Sequence, residues 1–241
     1  MMQFYKQFST YYDQIFKLKT AKVDFLVNNL EEEGRILDIA AGTGNYALEI
    51  AKRGHSVRGL DLSQAMIERA VDKVKDKRLK LEFEVGDMRD LTSIYKEEQF
   101  DLIYCIGNSL VHLENNREIK DVLNQIYSLL KPGDQLIIQI VNYDRILREE
   151  ITSLPTINNK EENVKLIRNY ELEDGKINFK TQLITPQGKF KNSVLLYPLQ
   201  SDELKEIVTE LGYAEVDLYG GVNDEDYKPV QSFSLLAVMT K

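Results

Sequence analysis

From residue 35 to residue 141 the chain alternates two patterns. Short apolar runs at 35–40 (RILDIA), 56–60 (SVRGL), 80–85 (KLEFEV), 100–106 (FDLIYCI) and 134–141 (DQLIIQIV) have the length and content of strands. Between them, 44–53, 64–76 and 116–130 carry apolar residues every three or four positions, most plainly Met66, Ile67, Ala70, Val71 and Val74. Strand, helix and strand repeated in this way require parallel pairing with right-handed crossovers, so the pattern predicts an α/β fold on a doubly wound sheet. Ligands of such sheets bind beyond the carboxyl ends of the strands, where the strand order reverses. That directs attention to the residues after 40, 60, 85 and 106.

After Asn142 the period changes. Runs at 164–172 (VKLIRNYEL), 176–184 (KINFKTQLI) and 190–199 (FKNSVLLYPL) are separated by Asp174-Gly175 and Gln187-Gly188, pairs that suit tight hairpins. They predict a small antiparallel β meander inserted at 163–199, too small for a core of its own and expected to lie over the main sheet. Residues 201–212 read as a helix with Ser201 as N-cap and Gly212 as its stop. The runs 213–219 and 231–239 read as a C-terminal antiparallel hairpin that closes the sheet edge. Residues 1–30, dense in aromatics between 4 and 16, read as an N-terminal helical lid. The expectation is one domain over 1–241, with its ligand-binding core at 35–141.

Composition narrows the partners. A chain of 241 residues with 43% hydrophobic content can bury a full core. With 31 basic against 39 acidic residues, the formal net charge of -8 leaves no surplus to neutralise a phosphate backbone, so nucleic acid is not expected as a partner. The basic stretch KVKDKRLK from Lys73 to Lys80 reads as a solvated helix end. Cys105 is the only cysteine, which rules out an intramolecular disulfide and a cysteine-based zinc site. His55 and His112 are the only histidines and lack ligand-like neighbours, so no metal is expected. Without a signal-peptide pattern or a window of about 18 apolar residues, the reading is a soluble cytoplasmic protein with no membrane partner.

The candidate chemistry begins at 36–47, ILDIAAGTGNYA. Gly42-Thr43-Gly44-Asn45-Tyr46-Ala47 satisfies GxGxxA, and Asp61 follows the second strand where a ribose partner belongs. A nicotinamide or flavin oxidoreductase stays open on that fingerprint. Two further acids, Asp38 inside the first strand's end and Asp87 after the third strand in VGDM, suit instead a nucleoside cofactor that has ribose hydroxyls and an adenine amino group but no pyrophosphate.

Taken in order, ILDIAAGTGN, GLDLSQAMIERA, EVGDM and LLKPGDQLIIQ resemble the motifs of class I S-adenosylmethionine-dependent methyltransferases, over about residues 35–140. The resemblance implies a Rossmann-like methyltransferase sheet and S-adenosyl-L-methionine as cofactor. By position it implies that Ala40 and Gly42 approach the methionine part, with Gly44 completing the turn, and that Asp61 takes the ribose diol. Leu62 and Met66 would flank the adenine, and Asp87 with Met88 would hold its edge. Met66 also fits the apolar face of its own helix, and Asp87 also fits a turn.

Residues 105–113 (CIGNSLVHL), 142–147 (NYDRIL), 196–199 (LYPL) and the closing hairpin are similar to the glycine and sarcosine N-methyltransferase branch, over nearly the whole chain. This implies that Ile106 offers its carbonyl to the cofactor's amino group, that Gly107 and Asn108 contact the substrate, and that Ser109 and His112 line the cofactor side. Asn108 and His112 are the catalytic candidates; a turn-forming asparagine and a packed histidine are the plainer readings. Tyr12 would be a lid aromatic, unless the N-terminal aromatics simply pack together, and Lys19 falls near an arginine that holds the cofactor carboxylate. The branch reads RNYD where this chain has Val141, and that arginine pairs with the acceptor's carboxylate; valine cannot supply such a clamp. Arg168 in the meander is a candidate replacement, against a solvated strand arginine. The implied function is methyl transfer from S-adenosylmethionine to a small-molecule acceptor, at an amine nitrogen, by in-line displacement. An NAD(P)-dependent oxidoreductase and a non-catalytic S-adenosylmethionine-binding module are the alternatives. The resemblance implies neither the acceptor nor the oligomeric state.

Overall fold

The computed structural model describes all residues except 1, 29, 31, 32, 97 and 224, and only the backbone of 2, 3, 5 and 6. Two helices come first, α1 (Met2–Ile15) and α2 (Thr20–Val27), within the stretch read as a helical lid; residues 1 and 29 of that stretch lie outside the described residues. The alternating region follows as β1 (Arg35–Ile39), α3 (Asn45–Lys52), β2 (Ser56–Asp61), α4 (Gln64–Val74), β3 (Leu81–Val85), α5 (Leu91–Tyr95), β4 (Phe100–Cys105), α6 (Asn116–Leu129), β5 (Leu130–Val141) and α7 (Tyr143–Arg148). Then come β6 (Ser153–Asn159), β7 (Val164–Glu173), β8 (Lys176–Thr185), β9 (Gly188–Leu196), α8 (Ser201–Glu210), β10 (Glu215–Tyr219) and β11 (Ser234–Thr240).

The main sheet has seven strands in the order β10-β11-β5-β4-β1-β2-β3. β1 to β5 run parallel, and β11 joins β5 antiparallel with β10 outside it, as the C-terminal hairpin requires. The central strands β1 and β4 are buried on both faces because helices cover both. Leu37, Ile39, Ile103, Ile138 and Ile140 pack on the α6 side, and Ile36, Leu102, Tyr104, Ile137 and Leu236 on the α2 and α3 side. From β1 the chain winds outward through β2 and β3, then returns to place β4 on β1's other edge. The order therefore reverses between β1 and β4, and the crevice beyond their carboxyl ends is where a ligand belongs. Among the described residues no helix is long and apolar enough to cross a membrane.

The inserted sheet has four strands in the order β6-β7-β8-β9, one more than the three expected. β6 escaped the pattern because SLPTINN is an edge strand, carrying Pro155 and polar residues and pairing only with β7. Tyr170, Ile177 and Leu196 join the main core, whereas Leu166 and Leu183 pack with Phe4 and Ile15 of α1. The insert thus touches the main core at one end and the N-terminal helix at the other.

The NYD segment after β5 is a structural hub. Asn142, 1% exposed, accepts from Arg145 N–H at 3.0 Å and from the Tyr227 hydroxyl at 2.6 Å, and its Nδ2 donates to the carbonyls of Pro229 and Ser232. Asp144 Oδ2 accepts from Ser201 N–H at 3.0 Å. This corrects the reading of Ser201 as an N-cap: Ser201 is the first helical residue, and the capping carboxylate comes from 57 residues earlier in the chain. Gly212, at φ +92°, ends α8 as expected.

Candidate active site

The turn after β1 is left-handed at Ala40 (φ +61°), Gly42 (φ +57°) and Gly44 (φ +73°). The alanine has no glycine's freedom there, a strain on the order of 1 kcal/mol that surrounding structure must hold. At Gly44 a β-carbon would stand 2.4 Å from the Phe83 ring on β3, so this glycine is required by packing as well as by φ. Asp61, at the end of β2, accepts from Gly42 N–H through Oδ2 and from Ser63 N–H through Oδ1, both at 2.8 Å. Burial raises its carboxyl above the ordinary range against those two bonds, and each oxygen keeps a further acceptor site. Asp38, buried at 3% exposure on the strand below, is pushed well above the usual carboxylate range by burial.

Helix α1 closes over this turn. A β-carbon on Gly42 would meet the Tyr12 ring at 3.4 Å, so the ring lies directly against the turn. The next residue, Asp13, accepts from Thr43 Oγ1 at 2.5 Å and Asn45 Nδ2 at 2.8 Å, and pairs with Lys73 of α4 at 2.6 Å. Lys73 also donates to Thr43 O and Asn45 Oδ1. Burial disfavours the Asp13 carboxylate, but the bonds from Lys73, Thr43 and Asn45 outweigh it and hold its pKa below the ordinary value. Lys73 is therefore not part of a solvated helix end; tertiary contact with α1 gives it a partner that the local charge pattern does not reveal. Arg69 donates to Ser9 and Thr10 a turn earlier.

The facing wall follows β4. Gly107 (φ +87°) and Asn108 (φ +75°) turn the chain away from the sheet. Gln139 Oε1 on β5 accepts from Gly107 N–H at 3.2 Å and from Lys22 Nζ at 3.1 Å. Burial, with Lys19 nearby, lowers the Lys22 amine to about 8, and its Nζ lies 5.5 Å over the Tyr46 ring. Asn108 uses both ends of its amide within the protein: Nδ2 donates to the Tyr143 hydroxyl at 3.0 Å, and Oδ1 accepts from Val141 N–H at 2.9 Å. His112 is solvent-accessible within the crevice, and desolvation by the surrounding walls lowers its pKa.

These walls enclose a cavity of about 970 Å³. Among the expected site residues, Tyr12, Lys19, Ala40, Gly42, Asp61 and Met66 line it from the first half of the chain. Ile106, Gly107, Asn108, Ser109, His112 and Arg168 line it from the second. Gly44, Leu62, Asp87 and Met88 are not on this wall. Gly44 packs against Phe83; Leu62 is 68% exposed; Asp87 pairs with Arg89 at 2.6 Å; Met88 packs on the main core. The sequence reading missed Asp13, Lys22, Tyr46, Gln139, Thr181 and Asn192, all brought in by tertiary packing. Lys22, one helical turn after Lys19, carried a signal; the others did not.

The residues fit S-adenosylmethionine better than a dinucleotide. Tyr12 covers the glycine turn, where a dinucleotide would place its pyrophosphate, and Asp61 lies on the cavity wall beside it. Asp61 has acceptor sites for a diol, while Lys19 and Lys22 add positive charge for a carboxylate.

Comparison with known proteins agrees. Residues 36–133 match the family model described as a methyltransferase domain. The glycine/sarcosine N-methyltransferase of Aphanothece halophytica is 31% identical over 199 residues, covering 82% of this chain and 73% of that one. The corresponding enzyme of Halorhodospira halochloris is 30% identical over 199 residues, covering 82% and 72%. In fold, an S-adenosylmethionine-dependent methyltransferase from Clostridium acetobutylicum superposes with a TM-score of 0.80 at 18% identity, over 98% of each chain. A sugar N-methyltransferase from Streptoalloteichus superposes at 0.75 and 15% identity, over 97% of this chain and 92% of that one. With its reversed-order sheet, acid-flanked glycine turn and this kinship, the chain belongs to the class I S-adenosylmethionine-dependent methyltransferases, enzymes that use S-adenosylmethionine as methyl donor.

Proposed function

We propose that this methyltransferase acts on the amine nitrogen of a small molecule, by in-line displacement, inside the cavity between the glycine turn and the inserted sheet. The observation that carries the reading is the enclosure: one cavity of about 970 Å³ runs from Asp61 to Arg168, enough for the cofactor and a small acceptor but bounded on both sides by protein. The relatives named as glycine/sarcosine and sugar N-methyltransferases support a nitrogen acceptor.

When bound, the cofactor supplies an activated methyl group on a sulfonium, so the protein's work is alignment and exclusion of water. Asp61 would take the ribose diol, Ala40 and Gly42 would offer backbone along the methionine part, and Met66 would flank the adenine, which would have to extend past the cavity wall to reach Leu62, Asp87 and Met88. The carbonyl of Ile106 would receive the cofactor's amino group, and Lys19 and Lys22, on the same cavity wall, would supply positive charge for its carboxylate. Tyr12 covers the turn from α1. Gly107 and Asn108 meet the acceptor, Asn108 holding its loop to the end of β5 through Val141 and Tyr143. His112, kept towards the neutral form by desolvation, can take the proton that an ammonium sheds before it attacks.

Calorimetry with S-adenosylmethionine, S-adenosylhomocysteine and reduced nicotinamide dinucleotides, followed by an acceptor screen of glycine, sarcosine and amino sugars, tests this. The expected result is binding of the sulfur cofactors alone and methylation of at least one amine. Binding without turnover on any amine would sink the proposed acceptor class.

A further inference from the structure

The inner face of the inserted sheet is built in rows across three strands. Leu166, Leu183 and Phe190 form one row and pack against α1; Tyr170, Phe179 and Val194 form another, with the Tyr170 and Phe179 rings 5.3 Å apart. Between these two apolar rows lies a polar one, Arg168–Thr181–Asn192, in the same register. All three of its residues line the cavity, where the same face turns towards the ends of β1 and β4.

A polar row between two apolar rows on an inward face needs an occupant. Arg168 donates Nη2 to the Pro155 carbonyl at 2.7 Å, but its Nε is buried without a hydrogen-bond partner, and among the described residues no carboxylate pairs with it. The Tyr170 hydroxyl, two residues along the same face, is also buried and unpartnered. Glu161 borders the cavity from the β6–β7 turn without pairing with the guanidinium. Nε–H, the tyrosine O–H and the Asn192 amide are donors, and a half-buried cation whose Nε–H is buried without a partner calls for an anion. One planar guanidinium, with no helix N-terminus or glycine nest beside it, matches a carboxylate rather than a phosphate.

We propose that Arg168 and Tyr170, with Thr181 and Asn192 beside them, form the acceptor's carboxylate subsite, and that the acceptor is an amino acid whose body lies along Phe179 and Val194. This rests on the proposed amine acceptor, and assigns its specificity to the inserted sheet.

Two measurements test it. The first is calorimetric titration of the protein, saturated with S-adenosylhomocysteine, by acetate and by inorganic phosphate, for the wild type, Arg168→Met, Arg168→Lys and Tyr170→Phe. Acetate should bind the wild type, weaken at least ten-fold in Arg168→Met and less in Arg168→Lys and Tyr170→Phe, while S-adenosylhomocysteine affinity stays within two-fold and the melting temperature holds. Equal acetate binding by Arg168→Met, or preference for phosphate, overturns the subsite. If Arg168→Met does not fold, the comparison of wild type with Arg168→Lys and Tyr170→Phe decides the same question. The second is turnover on amine pairs with and without a carboxylate, such as sarcosine against dimethylamine and phenylalanine against phenethylamine. Carboxylate-bearing amines should be preferred, with the loss in Arg168→Met appearing mainly in KM. Methylation of the neutral amines alone would refute the subsite and leave amine methylation standing; acetate binding without turnover of any amine would refute amine methylation and leave the subsite standing.

Discussion

Asp61 Oδ2 accepts a hydrogen bond from the Gly42 backbone N–H at 2.8 Å, so the acid that ends β2 holds the turn that ends β1. A single carboxylate therefore shapes the glycine turn and presents acceptors to the cavity. Asp61→Ala should lower S-adenosylhomocysteine affinity by roughly 1.5–3 kcal/mol, about ten- to 150-fold, from charged hydrogen bonds lost. Calorimetry reads this directly, and an unchanged affinity would remove Asp61 from the cofactor site.

The Asp13–Lys73 pair fastens α1 to the glycine turn. Lys73→Met should loosen the lid by on the order of 1 kcal/mol, the pair being partly solvent-screened, and raise the dissociation rate of S-adenosylhomocysteine roughly five-fold. Because the folded Asp13 pKa lies below its unfolded value, the contribution is present above the ordinary carboxylate pKa and is lost as pH falls through the lower folded one. Stopped-flow displacement, with limited proteolysis between α1 and α2, checks both.

Gly44→Ala places a β-carbon 2.4 Å from Phe83 at a backbone φ of +73°. The cost should be about 2–4 kcal/mol from overpacking and strain together. Phe83→Leu in the same background should recover part of it, because only the packing component depends on the ring. Additive effects in urea denaturation would mean that the ring simply moves aside.

Lys22 has its amine lowered to about 8 by burial, so it loses charge through the mildly alkaline range. Towards the fold the sign is that stability rises with pH between about 8 and the unfolded value, since only the unfolded chain keeps the proton there. Towards the cofactor it is opposite: affinity for the carboxylate should fall as pH rises past 8, and binding should take up a proton. The other groups facing the amine are Lys19, Tyr46 and Gln139. Calorimetry at pH 7 and 9, comparing wild type with Lys22→Met, isolates the effect; identical pH dependence in the two would assign it elsewhere.

The parallel sheet was legible because β1 and β4 are short apolar runs buried on both faces, and α3, α4 and α6 keep their apolar stripes at helical spacing; α5, a single short turn of helix at Leu91–Tyr95, has no such stripe to show. The glycine turn and Asp61 were legible because they are neighbours of strand ends, and strand ends mark themselves. β6 was not, since an edge strand with a proline and one partner has no strong alternation to show.

What the sequence determined by itself is therefore the winding of the sheet and the position of the acid-flanked turn, both products of short-range periodicity. Tertiary structure alone decided what faces that turn. Asp13 meets Lys73 across 60 residues, Lys22 meets Gln139 across 117, and Arg168, Thr181 and Asn192 line up only because β7, β8 and β9 pair in one register. Each of these reads locally as an ordinary surface polar residue. Burial by elements distant in the chain gives them strong partners or leaves them without one, and neither condition is a property of the neighbouring sequence.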